Sequence, residues 1–319
     1  MSHHSSHILP LLLALPLALC TSCYDDQPIG DPIDIHADYV LPQGDASAED
    51  NRRIEDYLQR YGSYFIYNFE VDSTGFSRDV TWVQKTGSAS ERFNIVITKG
   101  QTQYVGAMLD LLEKTWLQFF PEDFLAKGGI PYRVFICDNM YQWRQVGDWY
   151  QRLDHEYMFF DYSLTICGMN EHLLSMTQDD RVAFKRMLLP AVWQHYYDIH
   201  LLDVPAEFYE LTDYTRQPEY PDNSPEALEQ WRRQGYLPFE YTADGKPVEF
   251  WNGNYYWGNA RRDDLNAYLM HLRDLPASVI QQYLDNPAYS VIRRKYEILL
   301  SHYRDKYGID LRAMGDAEL

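Results

Sequence analysis

Residues Ile8 to Cys20 form a 13-residue apolar run that contains Pro10 and Pro16. The run is too short to cross a bilayer as a helix. It reads as the hydrophobic region of a secretory signal, so the fold is to be sought beyond it. The residues ahead of it carry His3, His4 and His7 but no Lys or Arg. The run closes on Leu19-Cys20-Thr21-Ser22-Cys23-Tyr24-Asp25-Asp26. Small residues directly before a Cys match a lipobox. Residues 1–22 are therefore expected to be a lipoprotein signal peptide, with Cys23 the acylated N-terminus. Asp25 and Asp26 match the acidic export tag of outer-membrane lipoproteins that face the cell exterior.

Charge supports the same division. Asp and Glu number 47 and Lys and Arg 28, for a net charge of -19, and residues 1–22 contain none of them. The acidic balance excludes binding to a phosphate backbone. It equally excludes electrostatic docking on anionic lipid. Attachment to a membrane is left to the lipid on Cys23. Hydrophobic residues at 45% and charged residues at 24% describe an ordinary globular chain. Of the 319 residues, 23–49 are rich in Asp, Pro and Gly without periodicity and read as a flexible tether. Residues 50–319 read as one domain.

Periodicity gives the elements. Ile54, Tyr57, Leu58 and Tyr61 form a helical stripe over 50–62, and 64–71 reads as a strand. Tyr104, Met108, Leu111, Leu112, Thr115 and Phe119 form a helical stripe over 102–120, stopped by Pro121. Strands follow at 132–137 and 162–167, separated by a Trp- and Tyr-rich segment. A helix over 180–200 is interrupted or kinked at Pro190. Residues 203–250 are loop-rich, with one short helix opened by Ser224 and Pro225. Helices over 263–273, 276–284 and 290–307 complete an α+β order. Cys137 and Cys167 fall in the two strands, and either a disulfide or two buried thiols fits them.

Catalytic motifs are missing or broken. There is no G-x-S-x-G, no G-x-G-x-x-G and no P-loop. His155-Glu156 opens an H-E-x-x-H pattern, but Phe159 occupies the second ligand position. His195 and His200 are five apart and point in different directions on a helix. The carboxylate pairs, such as Asp179-Asp180 and Asp263-Asp264, are sequence neighbours whose side chains diverge on a helix.

A helix and strand at Ile54–Phe69 are followed, in order, by Pro205-Ala206-Glu207-Phe208, Lys295-Tyr296-Glu297-Ile298, Tyr303 and Gly308-Ile309-Asp310-Leu311. Through these motifs, residues 50–314 resemble the family described as putative zinc-binding metallopeptidases, which are bacterial outer-membrane surface lipoproteins. The resemblance implies a zincin-like α+β fold, with a small mixed sheet, helices and a mainly helical C-terminal half. It also implies zinc on an H-E-x-x-H helix. Anchored on Pro205–Phe208 with one residue inserted, that motif falls on Ala191-Val192-Trp193-Gln194-His195. Ala191 stands in place of the first ligand and Val192 in place of the base. His195 survives, and Asp263 is the best match to the acidic third ligand, with Asp264 next. His195 and Asp263 are thus the remnant metal site, with His200, His172 and Glu171 as alternative donors. Two ligands are too few for a tight zinc site, and Val192 cannot deprotonate a bound water. No cofactor is expected, with zinc as the alternative.

Between Phe250 and Asn259 lies the run Trp251-Asn252-Gly253-Asn254-Tyr255-Tyr256-Trp257. Aromatics and amides in one loop suit stacking and hydrogen bonding to a ligand, and they equally suit core packing. Trp251, Tyr255, Tyr256 and Trp257 are the ligand-binding candidates. Tyr141-Gln142-Trp143 with Trp149-Tyr150 offers the same two readings. The resulting expectation is a lipid-anchored, non-catalytic binding or accessory component of peptide or glycan capture, beside an outer-membrane importer. The alternatives are an atypical zinc metallopeptidase and a structural subunit of an outer-membrane complex.

Overall fold

The computed structural model describes residues 39–81, 95–160, 163–216, 224–243, 245–249 and 257–319. The signal peptide, Cys23, Trp251, Tyr255 and Tyr256 lie outside the described residues. So does the Trp257 side chain, although the backbone from Trp257 to Asn259 is a 3-10 turn.

Helix α1 (Ala48–Tyr61) starts where the Ser47 hydroxyl accepts the Asp50 N–H, and ends at Gly62 with a φ of 69°. Ile54 and Tyr57 are its buried stripe. Strand β1 (Tyr64–Ile66) follows. It stops short of the expected Val71 because a side chain takes the next backbone groups. The Gln43 amide donates to the Phe65 carbonyl at 2.5 Å and accepts from the Tyr67 N–H at 3.0 Å. Gln43 is buried. The packed chain therefore begins ahead of Asp50, inside the stretch expected to be tether.

After a single turn, α2 (Arg78–Thr81), come β2 (Ile95–Thr98) and α3 (Val105–Thr115). The stripe over 102–120 is not one helix. Trp116 breaks it with φ -136° and ψ -68°, and 3-10 turns flank α3 on both sides. The break points the buried Trp116 indole at Tyr196, whose hydroxyl accepts its N–H at 3.0 Å. Next come α4 (Glu122–Phe124), β3 (Arg133–Ile136), β4 (Asn139–Val146), β5 (Trp149–His155), β6 (Tyr157–Phe160) and β7 (Ser163–Ile166).

The main sheet has the order β1-β3-β7-β6, with the first three strands parallel and β6 antiparallel at one side. Strands β1, β3 and β7 are buried throughout, as strands covered on both faces should be. Alternation sends Phe65, Val134 and Leu164 into the larger core, while Ile66 and Phe135 enter a smaller one. Strands β2, β4 and β5 form a second, antiparallel sheet over the smaller core. The Trp- and Tyr-rich segment is the β4–β5 hairpin, which turns at Gly147 with a φ of 64°.

Helix α5 (Gln178–Asp198) runs through Pro190 and opens with a reciprocal cap between Thr177 and Asp180. It ends before His200, which has a φ of 58°. Then follow α6 (Ala206–Glu210), α7 (Pro225–Arg233, capped by Ser224) and a two-stranded ribbon, β8 (Glu240–Tyr241) with β9 (Pro247–Val248). Helices α8 (Ala260–Leu269), α9 (Ala277–Leu284), α10 (Ser290–Tyr307) and α11 (Leu311–Gly315) complete the chain. The described chain is mixed helix and small sheet, as the α+β expectation has it. Among the described residues, no helix is long and apolar enough to cross a membrane.

Candidate functional site

Helix α5 has two unlike faces. Leu188, Leu189, Val192, Trp193 and Tyr196 are buried in the larger core. Asp180, Ala183, Phe184 and Met187 turn the other way and line a cavity of about 390 Å³. The spacing of 180, 183, 184 and 187 is that of one helical stripe. The other walls are the root of the β4–β5 hairpin, the end of β7, and the turn that carries His172 and Leu173.

The floor is apolar: Leu111, Leu173, Met176, Phe184 and Met187. The rim carries Asp138, Asp154, His155, Glu156, His172 and Asp180, and among the described residues that line the cavity none is Lys or Arg. Three of the carboxylates already have partners. Asp138 accepts from the Asn170 amide at 2.7 Å, and Asp154 pairs with Arg152 at 2.6 Å. Asp180 accepts from the Thr177 hydroxyl and N–H, bonds that hold its pKa below the usual carboxylate range. Among the described residues, the Glu156 carboxylate makes no hydrogen bond or ion pair. Among the described residues, the buried His155 Nε2 atom has no hydrogen-bond partner. A cavity with an apolar floor, surplus negative charge and an unsatisfied imidazole nitrogen favours a guest with an apolar body and a cationic end.

His195 lies on α5 further along. Its ring stacks on Phe159 of β6, with centroids 4.5 Å apart and planes 20° apart. Burial lowers its pKa, which favours the neutral imidazole. Asp263 is nearly buried and takes the Arg262 guanidinium at 2.9 Å. Val192, at the position of the expected base, is packed in the core. Among the described residues, no three His, Cys, Asp or Glu side chains are grouped to hold a metal ion. His195 is thus engaged by Phe159 and Asp263 by Arg262.

Asp264 turns inward instead. It is fully buried and accepts from the Lys295 ammonium at 2.5 Å and from the Tyr214 hydroxyl. The second aromatic patch is on the surface. Trp149 and Tyr150 are 56% and 60% exposed, and Trp143 packs edge-on against Tyr141.

His155-Glu156, in the sequence an H-E-x-x-H pattern broken at Phe159, and His172, there an alternative donor, both line the cavity. The missed signal was Gly147-Asp148, a two-residue turn between alternating strands. That turn sets the pairing of Met140 with His155 and so brings His155 back beside Asp138 and Asn139.

No family model matches the chain, and no curated protein matches it. One similar solved structure is described as a putative zinc-binding metallo-peptidase from Bacteroides caccae. The TM-score is 0.42 and the identity 12%, over 85% of this chain and 91% of that one. A likeness of this degree assigns no activity and no residue role.

Proposed function

We propose that this chain is a capture protein on a zincin-like scaffold, held at the outer face of the outer membrane by the lipid on Cys23. It binds peptides for uptake by a neighbouring importer and does not cut them. The observation that carries the binding role is the cavity beside α5, whose described lining residues give it an apolar floor and an acidic rim without Lys or Arg. Such a site suits a peptide segment that presents an aliphatic stem ending in a positive charge, as Lys and Arg do. The antiparallel strand β6 beside the His195 face of α5 supports the scaffold reading.

Titration of basic, neutral and acidic octapeptides of matched hydrophobicity into the full chain in detergent tests the charge preference. Basic peptides are expected to bind about tenfold tighter than neutral ones, a difference of about 1.4 kcal/mol. The preference should shrink as salt rises. Tightest binding by acidic peptides would reject the reading. Cleavage of the peptides with added zinc, lost in His195→Ala, would establish the metallopeptidase alternative instead. The anchor has its own test. Mass spectrometry of the exported chain should show diacylglycerol on Cys23, and an unmodified chain that starts elsewhere would defeat it.

A further inference from the structure

Cys137 and Cys167 each lie one residue beyond a parallel strand, and the ladder of β3 and β7 runs on past Ile136 and Ile166. The Cys137 N–H donates to the Ile166 carbonyl at 3.0 Å, and the Cys137 carbonyl accepts from the Met169 N–H at 2.9 Å. The two cysteines therefore sit side by side, with their sulfurs 3.4 Å apart. Neighbouring strands place Cα atoms about 4.8 Å apart, inside the range of about 4.4–6.8 Å that a disulfide spans. Both side chains are thiols in this structure. Cys137 is fully enclosed, whereas Cys167 lines the cavity beside α5.

We propose that Cys137 and Cys167 are a redox pair that closes to an intramolecular disulfide in the presence of a disulfide oxidant. The cavity makes Cys167 the entry sulfur. Its thiol loses a proton to water, and the thiolate attacks one sulfur of the oxidant. A mixed disulfide forms, and the oxidant's other sulfur leaves as a thiolate. Cys137 then gives up its proton and attacks the Cys167 sulfur, displacing the second half of the oxidant as a thiolate. Two protein thiols become one disulfide, and one oxidant disulfide becomes two thiols. The second step is the slow one, because the Cys137 side chain is fully enclosed. The closed bond ties β3 to β7 across the segment that holds the hairpin and β6. It acts at the cavity's back wall and does not depend on what the cavity binds.

Oxidised glutathione and the full chain, with Cys20→Ser and Cys23→Ser to silence the leader thiols, provide the test. After incubation, denaturation and alkylation, the expected product is lighter by two hydrogens and carries no alkyl group or glutathione. Proteolysis should release one peptide cross-linked through Cys137 and Cys167. The unfolding midpoint should rise by a few degrees and return on reduction with dithiothreitol. Cys137→Ala, which cannot complete the second step, should instead retain one glutathione on Cys167. Two alkylated thiols after oxidation would overturn the proposal, as would separate glutathione adducts on both cysteines in the otherwise unaltered chain.

Discussion

Replacing Asp264 with alanine is expected to destabilise the fold by about 3–5 kcal/mol, the cost of stranding a buried charge. Lys295 is fully buried, with its ammonium 2.5 Å from Asp264. Around it stand the rings of Phe208, Tyr214, Tyr236 and Tyr268, between 4.9 and 5.6 Å from the nitrogen. Among the described residues, those ring faces, the Tyr214 hydroxyl at 3.3 Å and the Gly235 carbonyl at 3.5 Å are what is left for Lys295 once the carboxylate is gone. The Tyr214 hydroxyl would lose its acceptor at the same time. Burial already pushes the Asp264 pKa up and the Lys295 pKa down, each opposed by the partner's charge. Urea unfolding of the single variant measures the loss. The double variant Asp264→Leu with Lys295→Met removes both charges and should recover most of it. A single-variant loss below about 1 kcal/mol would mean that the pair is solvated and not buried.

Acid should destabilise the protein through His271 by about 3 kcal/mol between pH 6.5 and 4. His271 is fully buried. Its Nδ1–H donates to the Ala267 carbonyl at 2.7 Å, so Nε2 is left to accept the Tyr241 hydroxyl at 2.9 Å. Burial lowers its pKa from 6.5 to about 4, and Arg232 and Arg312 push the same way. The folded state therefore resists a proton that the unfolded chain accepts. The stability from this group is complete above pH 6.5. It is lost as pH falls through the window, at about 1.36 kcal/mol per pH unit, and the loss levels off below pH 4. Unfolding free energies of the parent and His271→Gln over that range isolate the contribution. The difference between the two should shrink by about 3 kcal/mol from pH 7 to pH 4. A difference that stays constant with pH would contradict a neutral, buried His271.

These two residues show where sequence reading succeeds and where it stops. The resemblance rested on Phe208, Lys295, Tyr303, Ile309 and Leu311, among others, and all five are fully buried. Phe208 lies against the Lys295 ammonium at 4.9 Å. The motifs thus mark how α6, α8 and α10 pack around one ion pair, and packing is what a sequence pattern records most directly. Helix α7 and its Ser224 cap were equally legible, because a cap is a local bond. Asp263 and Asp264 are neighbours on α8, and a helix turns adjacent side chains about 100° apart. One therefore meets Arg262 and the other meets Lys295. Only the identity of the facing helix decides between them. The cavity was illegible for a related reason. Its walls come from α3, the hairpin root, the end of β7 and α5, which are brought together by strand order and not by spacing along the chain.

The central claim is that the cavity beside α5 is where this protein holds its ligand. Calorimetric titration of one basic octapeptide into three full-length variants tests it most directly. Glu156→Gln removes the rim carboxylate that makes no hydrogen bond or ion pair among the described residues, and Phe184→Ala opens the floor. Trp149→Ala strips the exposed hairpin aromatic and leaves the cavity untouched. The account predicts that each cavity variant weakens binding about tenfold or more, a loss of about 1.4 kcal/mol. The hairpin variant should bind as the parent does. Unchanged affinity in both cavity variants, with binding lost in Trp149→Ala, would contradict it and move the site to the hairpin.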